Sequence, residues 1–160
     1  MAELNDLEPT SRRFLERYPF PNLPAPVLTP LSKPVSECRL AFVTTAGLHK
    51  REEPPFSRFF ERSDCSYREI PDKASMKELS ISHISKEFNR DGVNKDINVV
   101  LPFDRAEELV TSGNLGTVNR RHFSFMGSLP RTGDLRKRTA PEVARKLKED
   151  QVDLVLLTPV

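Results

Sequence analysis

Short apolar runs alternate with amphipathic stretches along most of this chain. Five runs have the composition of strands, and they span residues 39–45, 66–70, 79–82, 122–125 and 152–159. Four stretches between and before them predict helices, beginning near residues 10, 54, 104 and 139. Strands that alternate with helices predict an α/β domain with a largely parallel sheet flanked by helices.

The last strand is the most apolar of the five. Residues 152–159 form a nearly continuous run of β-branched and leucine side chains, which is typical of a strand buried on both faces of a parallel sheet. No helix follows this strand in the sequence, so we expect a fold that lacks its C-terminal helix. In open α/β sheets ligands bind beyond the carboxyl ends of the strands, which places the expected site directly after this run.

Three of the predicted helices carry start signals. Asp104 with Glu107, and Thr139 with Glu142, have the spacing of capping boxes. Pro54 and Pro55 suit the first turn of another helix. That helix would carry three aromatic side chains at helical spacing, namely Phe56, Phe59 and Phe60.

A proline-rich segment separates the first helix from the apolar runs. Six of the 14 prolines lie between Pro19 and Pro34. Proline lacks a backbone N–H and fixes φ, so this stretch favours an extended arm over a helix or a central strand. Its apolar side chains are available to dock it, namely Phe20, Leu23, Val27 and Leu28. The sequence therefore predicts an N-terminal helix and arm over residues 1–37 and an α/β domain over residues 38–160.

The composition argues against nucleic-acid binding and against a membrane protein. The chain has 160 residues and a formal net charge of +2, too small to favour nucleic-acid binding. No apolar run approaches the length of a membrane span and the N-terminus does not have the pattern of a signal peptide, so we expect a cytoplasmic protein without a membrane partner. In a reducing compartment Cys38 and Cys65 are expected to be buried thiols rather than a disulfide.

His83 is the candidate catalytic residue. It follows the weak strand at 79–82 and precedes a polar loop, where it could act as a general acid for a leaving amine. A histidine that caps local backbone is the alternative. His49 and His122 share no metal-ligand spacing with it, so the sequence predicts no metal site.

Strand ends supply the candidate substrate-binding residues. Thr44, Thr45 and Gly47 follow the first strand, and their backbone amides could meet a substrate carboxylate; a tight turn is the alternative. Asn98 of the polar loop and Thr158 of the last strand complete the predicted set. Turn chemistry is again the alternative for the loop.

An ordered set of segments gives the chain a family resemblance. They are Val43-Thr44-Thr45-Ala46-Gly47-Leu48, Ser82-His83-Ile84, Asp91 to Pro102, Glu108-Leu109 through Gly113-Asn114-Leu115-Gly116, His122 to Gly127, and Val152 to Pro159. Their order and spacing resemble the selenoprotein B family of glycine, sarcosine, betaine and D-proline reductases, in its short stand-alone form.

The resemblance implies a selenol- or thiol-based oxidoreductase. In that family the strand that resembles residues 152–159 is followed at once by selenocysteine or cysteine, which opens a U-x-x-C or C-x-x-C motif. Because selenocysteine uses a codon normally read as stop, we expect the chain to be truncated at that position. The expected partners are an amino acid or its derivative, a thiol reductant and other reductase subunits. No cofactor is expected in these 160 residues, and selenocysteine is expected in the full-length product.

Other functions stay open from the sequence. A short member of this family is also compatible with a general thiol or selenol redox protein. The proline-rich arm and a basic loop at residues 131–138 favour a non-enzymatic module that binds a small ligand or a protein. A solvated loop is the simpler interpretation of those charges.

Overall fold

The computed structural model describes residues 4–19, 22, 25, 27, 29–57, 59, 63–85 and 88–160. The predicted docking residues Phe20, Leu23 and Leu28, and the predicted helical Phe60, lie outside these ranges. The chain forms two compact units, Met1–Pro30 and Leu31–Val160. The first contains helix α1, Pro9–Arg17. The division predicted after residue 37 stays a prediction.

The second unit is an α/β domain with helices against a mixed sheet. Its strands are β1 (Arg39–Thr44), β2 (Leu48–Lys50), β3 (Tyr67–Pro71), β4 (Leu79–Ile81), β5 (Thr117–Val118), β6 (Arg121–Phe125) and β7 (Leu154–Thr158). Its helices are α2 (Arg90–Lys95), α3 (Phe103–Thr111) and α4 (Ala140–Glu149). No helix in the described part of the chain is long and apolar enough to cross a membrane.

Strand β1 organises the sheet. It pairs in parallel with β7 along its length, and also in parallel with β5 near its start and with β6 near its end. Strand β3 joins β6 antiparallel. Strands β2 and β4 form a separate antiparallel pair. The α/β class predicted from the sequence is confirmed, in a sheet that combines parallel and antiparallel pairs.

The two faces of the sheet carry separate cores. Leu40 and Phe42 of β1 pack in a cluster with Phe103 and Ala106 of α3. Ala41 lies on the opposite face, in a cluster with residues of β6 and α4. Adjacent side chains of a strand point to opposite faces, so β1 contributes to both cores and needs the apolar composition that the sequence shows.

One predicted helix start is wrong, and the capping box predicted for another does not form. Residues 54–57 are not helical, because the Ser57 N–H donates to the Asp64 carboxylate at 2.7 Å and the Pro54 carbonyl accepts from Arg68. Helix α4 begins at Ala140 with Thr139 at its N-cap position, as predicted, but a π-helical turn, Leu135–Thr139, precedes it and the Thr139 side chain makes no cap hydrogen bond. The Thr139 hydroxyl donates instead to the Cys65 carbonyl at 2.8 Å.

The start of α3 also differs from the prediction. Asp104 lies inside the helix, and its backbone N–H donates to Oδ1 of Asn98 at 2.9 Å. The Asn98 side-chain amide donates in turn to the Asp96 and Asp104 carboxylates, each at 2.8 Å. Asn98 therefore supplies the side-chain cap that the sequence assigned to Asp104.

The buried side chain of His122 bonds to β1 between the residues that pair with β5 and those that pair with β6. The backbone N–H of Phe42 donates to Nδ1 of His122 at 3.0 Å, so the imidazole replaces a strand carbonyl. The ring is fully buried beside Phe42 and Phe103. Burial lowers the pKa of His122 to about 4, although the Asp72 charge and the Asn119 carbonyl act in the opposite direction.

This lowered pKa predicts an acid-sensitive fold. Between its usual value near 6.5 and about 4, His122 binds a proton in the unfolded chain but not in the folded one. Stability is therefore fully present above pH 6.5 and is lost as the pH falls. Urea unfolding of the 160-residue chain should show a loss of about 2 kcal/mol from this histidine between pH 7 and pH 5.

The matched variant is His122→Asn, whose amide oxygen can accept from Phe42 without titrating. It is expected to be less stable at pH 7 and to lose less stability on acidification than the wild-type chain. Carboxylates contribute equally to both proteins and cancel in the comparison. Identical pH slopes for the two proteins would refute the role assigned to His122.

Candidate functional site

The carboxyl end of β7 is tied to the residues that follow β1. The Thr158 carbonyl accepts from the Thr45 backbone N–H at 3.2 Å and from the Thr44 hydroxyl at 3.3 Å. The Thr45 hydroxyl accepts from the Val160 N–H at 2.9 Å and donates to the Val160 carbonyl at 3.3 Å. The two threonines thus fix the backbone of residues 158–160.

Thr158 holds this end of the sheet against the α3 side of the domain. Its hydroxyl donates to the Val100 carbonyl at 2.8 Å. The register that pairs Thr44 with Thr158 places both side chains on the same face of the sheet. Thr158 therefore acts here as a cross-link, and its predicted contact with substrate stays a prediction.

Gly47 lets the chain pass close to His83. It has a φ of +66°, and a Cβ at this position would lie only 2.9 Å from the His83 backbone nitrogen. Its N–H donates to the Phe125 carbonyl, and its carbonyl accepts from Ser82. The backbone amides of Thr45 and Gly47 already donate to carbonyl groups. To bind a substrate carboxylate as predicted, they would have to break these hydrogen bonds.

His83 is buried at this junction, with 4% of its surface exposed. Its Nδ1 accepts from the Ser85 backbone N–H at 3.2 Å, so the ring proton lies on Nε2. Nε2 is buried and has no hydrogen-bond partner among the described residues. The Phe88 ring lies 4.6 Å from the imidazole, centroid to centroid.

The surroundings of His83 keep it neutral. Burial lowers its pKa below 6.5, and the positive charge of Arg90 lowers it further; the Val160 carbonyl acts in the opposite direction. The Arg90 guanidinium donates to the backbone carbonyls of His83 and Ser85. At neutral pH His83 therefore presents an N–H donor and not an imidazolium, the stronger acid that a leaving amine would need.

Gly127 is a site residue that the sequence reasoning missed. A Cβ at this position would overlap Nε2 of His83 and would lie 3.0 Å from the carbonyl oxygens of Thr45 and Val160. Four chain segments therefore meet within the space of one methyl group. A glycine directly after the β6 run was the available signal, because strand ends that approach a site closely require a small residue.

A cleft of about 450 Å³ opens beside this junction. It is lined by His83, Ser85, Phe88, Asn89, Val93, Val99, Ser128 and Val160. None of these side chains is a carboxylate. The cleft combines an aromatic face, aliphatic walls and hydroxyl groups, a lining suited to a small, partly apolar molecule.

The remaining candidate residues lie elsewhere. Asn98 lines a different cavity, next to Asp96 and Asp104. Cys38 and Cys65 are free and buried, as the sequence predicts, and their sulfur atoms contact the backbone carbonyls of Pro34 and Arg131. Within the described ranges, no three His, Cys, Asp or Glu side chains are grouped to hold a metal ion.

Gly127→Ala tests the close approach at this junction. The added methyl group should displace the His83 ring or residue 160, and we expect a stability loss of roughly 1–3 kcal/mol together with shifted His83 NMR signals. Gly133→Ala is the matched control, because a Cβ at Gly133 meets no atom within 4 Å. Equal effects of the two substitutions on unfolding and on His83 would show that the junction is not crowded.

Comparison with known proteins places the whole domain in one family. Residues 9–160 match the family model for the glycine/sarcosine/betaine reductase selenoprotein B. The D-proline reductase subunit gamma of Acetoanaerobium sticklandii is 38% identical over 141 residues, which are 86% of this chain and 55% of that protein. The sarcosine reductase complex component B subunit beta of Peptoclostridium acidaminophilum is 27% identical over 91% of this chain and 33% of its own length.

A third relative is the glycine reductase complex component B subunit gamma of Symbiobacterium thermophilum, 24% identical over 91% of this chain and 34% of that protein. No solved structure matches the chain. The chain spans about half the length of the first of these relatives and about a third of the other two. Because the family model covers nearly all of the sequence, the chain belongs to the glycine/sarcosine/betaine reductase selenoprotein B family.

Proposed function

We propose that this chain is part of a cytoplasmic reductase subunit that cleaves a C–N bond of an amino acid or a close derivative, with a selenocysteine or cysteine following β7 as the nucleophile. The observation that carries the proposal is the convergence of Thr45, Gly127 and the buried His83 on Val160. This convergence lies at the carboxyl end of a strand, where α/β folds bind their ligands.

The chemistry starts from the selenolate, which is largely ionised at neutral pH and a stronger nucleophile than a thiol. The selenolate attacks the α-carbon of the substrate; a Se–C bond forms, the C–N bond breaks, and the amine leaves with the electron pair and takes up a proton. A nearby thiolate then attacks selenium, which gives a selenenyl-sulfide while the carbon takes up a proton. A dithiol reduces the selenenyl-sulfide and restores both groups.

The two cysteines of the described chain are poorly placed for either role. Cys38 and Cys65 are buried, and neither lines the cleft beside His83. Because their burial keeps them out of contact with a substrate in the cleft, structural thiols are the better interpretation. A nucleophile supplied by a U-x-x-C or C-x-x-C motif after β7 would instead lie next to the cleft.

Exposed apolar surface on β7 supports contact with further protein. Val155 and Leu157 lie on the α4 face of the sheet, and Leu157 is 66% exposed. Leu156 is exposed on the opposite face. A strand with this composition is normally covered on both faces. We propose that more of the same polypeptide, including a helix after β7, or another reductase subunit covers it.

Sequencing the gene beyond the codon of Val160 is the first test of this proposal. We expect an in-frame codon for selenocysteine or cysteine and a second cysteine three positions later. An in-frame sequence without either residue would contradict the proposal and leave the binding-module hypothesis.

Activity of the extended product is the second test. With a dithiol as reductant, we expect the extended protein, together with its partner subunits, to reduce at least one of glycine, sarcosine, betaine and D-proline, measured as amine or ring-opened product. A version with serine at the nucleophile position should be inactive, because an alcohol is neither ionised nor able to form a selenenyl-sulfide analogue. Equal activity of the serine version would exclude the proposed nucleophile.

A further inference from the structure

The His83 imidazole is held in one tautomer. A backbone N–H can only donate, so Nδ1, which accepts from Ser85, carries the lone pair and Nε2 carries the proton. The Phe88 ring packs on the imidazole, and Arg90 ties the His83 and Ser85 carbonyls together. These contacts fix the direction in which Nε2–H points.

Nε2 lies close to Val160, the last residue of the described chain. Nε2 and the carbonyl oxygen of Val160 both lie within 3.0 Å of one point, the place of a Cβ on Gly127. The Val160 carbonyl carbon bears the peptide bond to any following residue. Nε2 is buried and makes no hydrogen bond of normal geometry to the described residues, although the Val160 carbonyl lies near enough to raise the His83 pKa. A buried donor of this kind normally has a partner.

The electrostatic surroundings favour an anion as that partner. The Arg90 guanidinium donates to the His83 backbone carbonyl, and its positive charge lowers the His83 pKa. None of the described side chains that line the cleft is a carboxylate. A neutral N–H donor next to a fixed positive charge stabilises a thiolate or selenolate, whereas a carboxylate in the same place would oppose it.

We propose that His83 donates its Nε2 proton in a hydrogen bond to the selenolate or thiolate of the residue that follows Val160 and keeps that proton throughout the reaction. The assignment rests on the proposed function, because it needs a nucleophile at that position. It differs from the general-acid role predicted from the sequence, in which His83 would give its proton to the leaving amine.

The test uses the full 160-residue chain extended by one cysteine and a Gly-Gly-Ser tail, which moves the terminal carboxylate away from the thiol. Alkylation of the added cysteine by iodoacetamide is followed from pH 5 to pH 10 by the mass of the C-terminal peptide. This readout separates it from Cys38 and Cys65, which are buried. We expect the thiol pKa to lie about one unit below the usual value near 8.5.

Three variants separate the proposed bond from a structural effect. His83→Phe keeps a ring but removes the donor, and it should raise the thiol pKa by about one unit and slow alkylation at pH 7 about threefold, because the more basic thiolate is scarcer but more nucleophilic. His83→Gln supplies an amide N–H and should restore part of the difference. His49→Gln is the control, because both nitrogens of His49 are already bonded, to Lys50 and Ser82, and it should leave the thiol pKa unchanged.

The outcomes discriminate between the two proposals. A thiol pKa that is the same in the wild-type chain and in His83→Phe, with both proteins folded by circular dichroism, overturns the assignment of His83. If the two thiol pKa values are equal and the gene encodes a selenocysteine or cysteine after Val160, only the role assigned to His83 is refuted. A His83-dependent thiol supports the assignment, and a gene without the downstream nucleophile removes both proposals.

Discussion

The parallel pairing of β1 with β7 is the constraint on which the rest of the domain depends. It joins residues that are 114 positions apart in the sequence, from Leu40 with Leu154 to Thr44 with Thr158. Closing so long a loop is entropically costly, and the apolar side chains of both strands offset that cost. Because the strands are parallel, their carboxyl ends meet at one edge, and Thr44 and Thr45 can bond the backbone of residues 158–160.

The three histidines show how the same side chain takes different roles in different surroundings. His49 is bonded through both nitrogens, to the Lys50 carbonyl and the Ser82 hydroxyl. His122 accepts from the Phe42 backbone within the sheet and serves strand pairing. His83, like His122, is bonded through Nδ1 alone, but it lines the cleft. Burial is common to all three, and Nε2 has no hydrogen-bond partner among the described residues in either His83 or His122. The position at the cleft therefore separates the candidate functional histidine from the structural ones.

Part of the candidate site could be predicted from local sequence. The rule that sites lie at strand ends pointed to Thr45, Gly47 and His83, and the structure brings these residues to one edge of the sheet. The same reasoning included Asn98, which instead caps α3. Polar residues of a loop satisfy turn and capping requirements as readily as they bind ligands, and only the folded chain shows which requirement they meet.

By itself, the sequence determined the order and type of most elements, because hydrophobic periodicity is a local property, and it determined the family through the order of short segments. Long-range contacts decided the rest. They bonded the Thr139 hydroxyl to the Cys65 carbonyl instead of to the start of α4, and they kept residues 54–57 out of a helix. They also placed Gly127 next to His83. No local sequence pattern indicates which strand ends will pack together, so this contact could not be predicted.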